Sequence, residues 1–210
     1  SEDIDVDVVV VAKQTLKHKV DRLLASPLVK SPLLAKGIEI VEVTAPKQTE
    51  TTQRWKAGLR TIGGPIVRTK IEFSRRGAID GAAFEPVVPS VLLPGGLPPF
   101  LAPHYATRAA IVQKVRALAD RTEPQPRDVF DLGLLLSRPE GAMVGSSDVD
   151  PSLVTRAIDR AIGISFDDYT STVVAYLDPE LAPPYAERDA WSLMQETVVR
   201  HLERIAEGAG

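Results

Sequence analysis

With 210 residues and 44% apolar content, the chain has enough material for one large domain or two small ones around a packed core, which excludes long disorder. It holds no cysteine and only three histidines, so disulfide scaffolds, thiolate zinc sites, iron–sulfur clusters and cysteine nucleophiles are ruled out, and little is left for a histidine metal cage. The formal charge of −3 hides a division: Asp128 to Gly210 carries 6 Lys/Arg against 15 Asp/Glu, a net of −9, while the preceding residues carry 19 against 13, a net of +6.

The first residues, Ser1-Glu2-Asp3-Ile4-Asp5, are acidic where a secretory signal is basic, and no stretch approaches the roughly 18 apolar residues of a membrane span. A cytoplasmic protein with no membrane partner is expected. Ile4, Val6, Val8 and Val10 alternate with Asp3, Asp5 and Asp7, the period of two that predicts a strand. No initiator methionine or lead-in turn precedes it, so the chain reads as N-terminally incomplete. Leu16, Val20, Leu23 and Leu24 recur at helical spacing, and Ser26-Pro27 is expected to close that helix. Ile38 to Val43 and Ile66 to Phe73 read as strands, the second entered through Gly63-Gly64-Pro65. Ala83 to Leu93, broken by Pro86 and Pro89, is at most an edge strand.

Leu93 to Pro103 is rich in proline and glycine and reads as a linker or long turn. Beyond it the period becomes helical, through Ile111 to Ala119, Val129 to Leu136, Leu153 to Ala161 and Trp191 to Ile205. An α/β domain over residues 1–100 followed by a helical domain over 104–210 is therefore expected, an α/β plus α architecture.

Three elements carry chemistry. Asp3 and Asp5 lie two apart on a strand and so share a face, about 7 Å apart at the α-carbons, as in a site for Mg²⁺; solvent-facing aspartates on an edge strand give the same pattern. Glu72 stands between Ile71 and Phe73 in a strand, where a carboxylate needs a function or a partner, and Lys70 or Arg75 is the expected ion-pair neighbour. On the helices, Lys114 and Arg121 share one face and Asp128 and Asp131 share another one turn apart, across a short loop. A hairpin stitched by surface ion pairs would look the same. The run Arg54, Lys56, Arg60, Arg68, Lys70, Arg75 and Arg76, opposed only by Glu72, suits a polyanion or a solvated face balanced by the acidic half.

In order and spacing, Ser1-Glu2-Asp3-Ile4-Asp5-Val6-Asp7-Val8, Lys70-Ile71-Glu72-Phe73, Lys114-x-Arg116-Ala117-Leu118-x-x-Arg121 and Arg127-Asp128-Val129-Phe130-Asp131-Leu132 resemble the AbiEii-like nucleotidyltransferase toxins, which include the mycobacterial MenT toxins. The resemblance spans roughly residues 1–136. It implies a nucleotidyltransferase sheet domain of the DNA polymerase beta superfamily with a helical lobe. It further implies Asp3, Asp5 and Glu72 as Mg²⁺ ligands, Asp3, Asp5, Lys114 and Asp128 as catalytic residues, and Ser1, Lys114 and Arg121 as nucleotide-binding residues. The implied reaction moves NMP from NTP to RNA, tRNA for the MenT branch, with release of pyrophosphate, and an antitoxin is the implied protein partner. The glycine-containing turn that precedes the Asp-x-Asp strand in the family is not present in this sequence. A catalytically inactive protein of the same fold that binds RNA or a protein is the alternative, and a module whose acidic helices dock on a basic partner is a third reading.

Overall fold

A computed structural model of the chain describes residues 3–8, 11–75, 81–93 and 96–208. Contacts divide the chain into two compact units, Ser1–Ala78 and Ile79–Gly210. The division falls ahead of the proline- and glycine-rich stretch at which the hydrophobic period changes.

Among its described residues the first unit is a four-stranded sheet with two helices. Strand β1 (Asp3–Asp7), helices α1 (Lys13–Ala25) and α2 (Pro27–Ala35), and strands β2 (Ile38–Gln48), β3 (Thr52–Thr61) and β4 (Ile66–Ser74) follow in chain order. The sheet order is β1-β4-β3-β2, with β1 parallel to β4 and the other pairs antiparallel. Helix α1 buries Leu16, Val20 and Leu24 against Trp55 of β3, with Ile71 and Phe73 of β4 at the edge of the cluster. The Trp55 ring meets Phe73 edge-on at 5.5 Å, and its indole N–H donates to Asp21 at 2.7 Å. That buried donor is thus satisfied by α1 itself.

Two of these elements escape the sequence reading. Ser26-Pro27 does end α1, but a new helix starts at once, because proline at the first helical position loses no hydrogen bond. Strand β3 alternates Arg54 and Lys56 with Trp55 and Ala57, and the cations mask a period-two pattern. Gly63 takes φ +72 in the β3–β4 turn, a left-handed conformation that glycine adopts at little cost.

The second unit begins with the hairpin β5 (Ala82–Pro86) and β6 (Leu101–Tyr105), which flank the short helix α3 (Pro89–Leu92). Part of the expected linker is therefore a strand, with Pro103 tolerated because the sheet has only two strands, both of them edges. Helices α4 (Thr107–Asp120), α5 (Pro126–Leu136), α6 (Pro151–Ile162), α7 (Phe166–Thr172) and α8 (Arg188–Ala206) follow. Their apolar stripes converge on one core that includes Ile111, Val115, Leu118, Val129, Leu132, Val154, Val198 and Leu202. Tyr169 stacks on Trp191 at 4.2 Å. At Gly133 of α5, an added Cβ would sit 2.7 Å from Met194 of α8, so glycine sets how closely those helices approach. Among the described residues no helix is long and apolar enough to cross a membrane.

Candidate functional site

The acidic residues of the first unit are organised by strand register. In the parallel pair β1–β4, Asp3 is opposite Lys70 and Asp5 opposite Glu72. In the antiparallel pair β3–β4, Arg54 is opposite Glu72 and Lys56 opposite Lys70. Residues opposite one another share a face, so Asp5, Glu72 and Arg54 form one row across three strands. Trp55 and Ile71 occupy the other face, with α1. Asp5 is exposed.

The hydrogen-bonded ion pair seen at Glu72 is not with a neighbour in sequence. Its partner is Arg54 on the adjacent strand, which the missed β3 hid from the sequence reading. The Arg54 Nε donates to Glu72 Oε2 at 2.6 Å, and Nη2 lies 2.5 Å from the same oxygen. Both guanidinium nitrogens therefore use one carboxylate oxygen and leave Oε1 without a hydrogen bond among the described residues. Arg75 instead holds the backbone after β1: it donates to the Val11 carbonyl at 2.7 Å and to Gln53 Oε1 at 3.2 Å. Gln53 is fully buried and donates to the Lys13 carbonyl at 3.0 Å.

The carboxylates of this row offer oxygen donors, the chemistry of a hard cation such as Mg²⁺. Asp5 is accessible and one Glu72 oxygen has no hydrogen bond among the described residues, so both suit such an ion, and Asp3 precedes Asp5 by two residues on the same strand. Among the described residues no three acidic or histidine side chains are gathered closely enough to hold an ion.

The second unit holds a separate charged cluster on the α4–α5 hairpin. Asp128, in the first turn of α5, has a side chain with 0% exposure, and its carboxylate benefits from the partial positive charge of the helix start. Lys114 Nζ lies 3.3 Å from its Oδ1 and also meets Asp131 Oδ2. Arg121 Nε lies 2.8 Å from Oδ2, but its N–H is not directed at that oxygen, so the contact is coulombic rather than a hydrogen bond. One buried carboxylate thus faces two cations, and Lys114 is held between two acids. Asp131, one turn beyond Asp128, is the second carboxylate on Lys114, a role suggested only by the three-residue spacing. Arg160 of α6 fastens the α4–α5 connection, donating to the Arg121 carbonyl at 2.5 Å. Ser1 lies outside the described residues.

A family model described as the nucleotidyl transferase AbiEii toxin of type IV toxin–antitoxin systems matches residues 1–204. The chain belongs to the AbiEii family. It is thus a member of a family of nucleotidyltransferase toxins, as the motif order implies, and the match runs on through the acidic helices beyond residue 136. No curated protein sequence matches this AbiEii chain. Among solved structures it is similar to a chain from Helicobacter pylori assigned as a nucleotidyltransferase, at 18% identity and a TM-score of 0.51, covering 97% of this chain and 80% of that one. JHP933 from H. pylori gives 16% identity and a TM-score of 0.50, with 99% and 79% covered. MenT4, a nucleotidyltransferase toxin from Mycobacterium tuberculosis, gives 15% and 0.50, with 95% and 68% covered. These likenesses establish the nucleotidyltransferase fold for this AbiEii chain.

Proposed function

We propose that this AbiEii chain transfers a nucleoside monophosphate from an NTP to an RNA acceptor, tRNA first, with Mg²⁺ and release of pyrophosphate, in the cytoplasm and under control of a cognate antitoxin. The observation that carries the reading is the register that sets Asp5 beside Glu72 with Asp3 two residues away, in a chain of this family. In the reaction a hydroxyl oxygen of the acceptor forms a bond to the α-phosphorus, the bond from that phosphorus to the oxygen joining it to the β-phosphorus breaks so that this oxygen leaves as a terminal oxygen of pyrophosphate, and the hydroxyl proton passes to solvent.

Asp3, Asp5 and Glu72 are the residues that would hold Mg²⁺, Glu72 through the oxygen that Arg54 leaves free. When bound, the ion supplies Lewis acidity, neutralising phosphate charge and lowering the pKa of a hydroxyl. Lys114 supplies an ammonium for the nucleotide phosphates, and Arg121 a second cation. Asp128, with no exposure of its own, acts through Lys114 and Arg121 and is a positioning residue.

The test is transfer of label from each α-labelled NTP to total tRNA with Mg²⁺, beside the Asp3→Asn, Asp5→Asn double variant. Label on RNA that falls at least ~10²-fold in the variant is the expected result, the scale on which removal of a charge-stabilising group at a reacting centre is felt. No label from any NTP overturns the proposal, and label indifferent to the double substitution removes the carboxylates from it.

A further inference from the structure

The basic run of the first unit can be sorted by what each cation already holds. Arg54 is paired with Glu72, Arg60 with Glu39 at 2.7 Å, and Arg75 is bound to Val11 and Gln53. Lys70 also has a partner, and Arg76 lies outside the described residues. Lys56 and Arg68 are different. Both are exposed, and neither makes a hydrogen bond or an ion pair among the described residues.

These two cations stand together by register. Lys56 is opposite Lys70 and Thr44, and the next row of the same face is Arg68, Gly58 and Glu42. Between them lies a hollow of about 150 Å³ lined by Glu42, Thr44, Lys56, Ala57, Gly58 and Arg68, the volume of several waters at ~30 Å³ each. Gly58 forms part of its lining, where an added Cβ would be tight, 3.2 Å from Ile66 Cγ2 and 3.4 Å from Val41 Cγ2. An ammonium, a guanidinium and the Thr44 hydroxyl thus line a small open depression, a donor set suited to phosphate oxygens.

Glu42 decides which phosphate. Its repulsion grows with the charge of the ligand, so it counts far more against a triphosphate than against a singly charged phosphodiester. Position agrees. Lys56 shares a lateral row with Lys70 and Asp3, two strands from β1 and hence about 10 Å from it at the usual strand spacing. A nucleic acid strand lying across β3 and β4 would pass from the hollow to the acidic row within a short reach. We infer that the hollow over Gly58, with Lys56 and Arg68, docks the phosphodiester backbone of the acceptor RNA. This rests on the transferase reading and adds to it the path of the acceptor.

The experiment measures binding of labelled tRNA by the full chain as a function of salt, without NTP or Mg²⁺, for the unaltered protein and the Lys56→Gln, Arg68→Gln double variant. NTP binding is measured in parallel. Loss of two phosphate contacts to a single-stranded segment lowers the slope of log affinity against log salt by about 1.4, with affinity for NTP unchanged. An unchanged RNA affinity and slope overturn the inference and point to an acidic protein partner; a weakened NTP affinity with unchanged RNA binding reassigns the hollow to the triphosphate. Failure of the unaltered protein to bind RNA also overturns it. RNA binding lost in the variant by a protein that transfers no label upholds the docking site and defeats the transferase reading alone.

Discussion

The sheet of the first unit and the α4–α5 hairpin of the second both set carboxylates against cations, and they differ in how much water reaches the charges. In the sheet the Arg54 and Glu72 side chains retain 32% and 24% exposure, and Asp5 beside them is exposed. In the hairpin the Asp128 side chain has none. Register suffices to build the first arrangement, because neighbouring strands bring side chains together at fixed spacing whatever their charge. The second needs compensation: a carboxylate removed from water must be met by cations, and Lys114 and Arg121 are there to meet it. The open row is thus reached by solvent, whereas in the closed cluster a carboxylate without exposure is compensated by two cations.

Substitutions can break this contrast. Asp128→Ala has the largest expected effect. It leaves Lys114 and Arg121 uncompensated and should lower the stability of the second unit by about 3 kcal/mol, the low end for breaking a buried pair because both cations are partly exposed. Denaturant unfolding followed by the emission of Trp191 measures it, and a loss under ~1 kcal/mol would show that water already reaches the carboxylate. Arg54→Met in the sheet should cost no more than about 1 kcal/mol in the same assay read by Trp55, since the pair it breaks is partly solvated. Equal costs for the two substitutions would erase the distinction between the sites.

The smallest effect concerns Asp21, on the α1 side of the sheet. Hydrogen bonds from Lys17 and from the Trp55 indole hold its carboxyl below the usual aspartate value. A depressed folded value stabilises the unit above the unfolded pKa near 3.9, and the contribution disappears as pH falls through the folded value. Asp21 is 41% exposed, so solvent screening reduces the effect to a few tenths of a kcal/mol. Asp21→Asn should therefore be slightly less stable than the unaltered protein at pH 7, with the difference shrinking as pH falls below the unfolded value. A difference that grows on acidification would contradict the assignment.

Elements with a clean apolar period were legible in the sequence: β1, α1, β4 and the helices through Ile111, Val129, Leu153 and Trp191. Strand β3 was not, because its exposed alternate positions are arginine and lysine and read as a charge run. Helix α2 was not, because Pro27 signals the end of one helix and the start of the next with the same residue. For the candidate site, type and spacing singled out the acids and Lys114 and the family resemblance implied their roles, whereas Arg54 as the partner of Glu72 depended on a strand pairing that spacing does not reveal. Which cations of the basic run have partners among the described residues likewise required knowing which side chains face which.

By itself the sequence determined the absence of thiol chemistry, the change from strand to helical period, and the ordered motifs of an AbiEii nucleotidyltransferase toxin, because these reside in residue identity and local spacing. Only the tertiary structure decided that Arg54 engages one oxygen of Glu72, that Asp128 is out of water, and that Lys56 and Arg68 flank an open hollow. Register and burial arise from pairing between residues distant in the chain, and it is they that determine whether a charge is exposed, compensated or available.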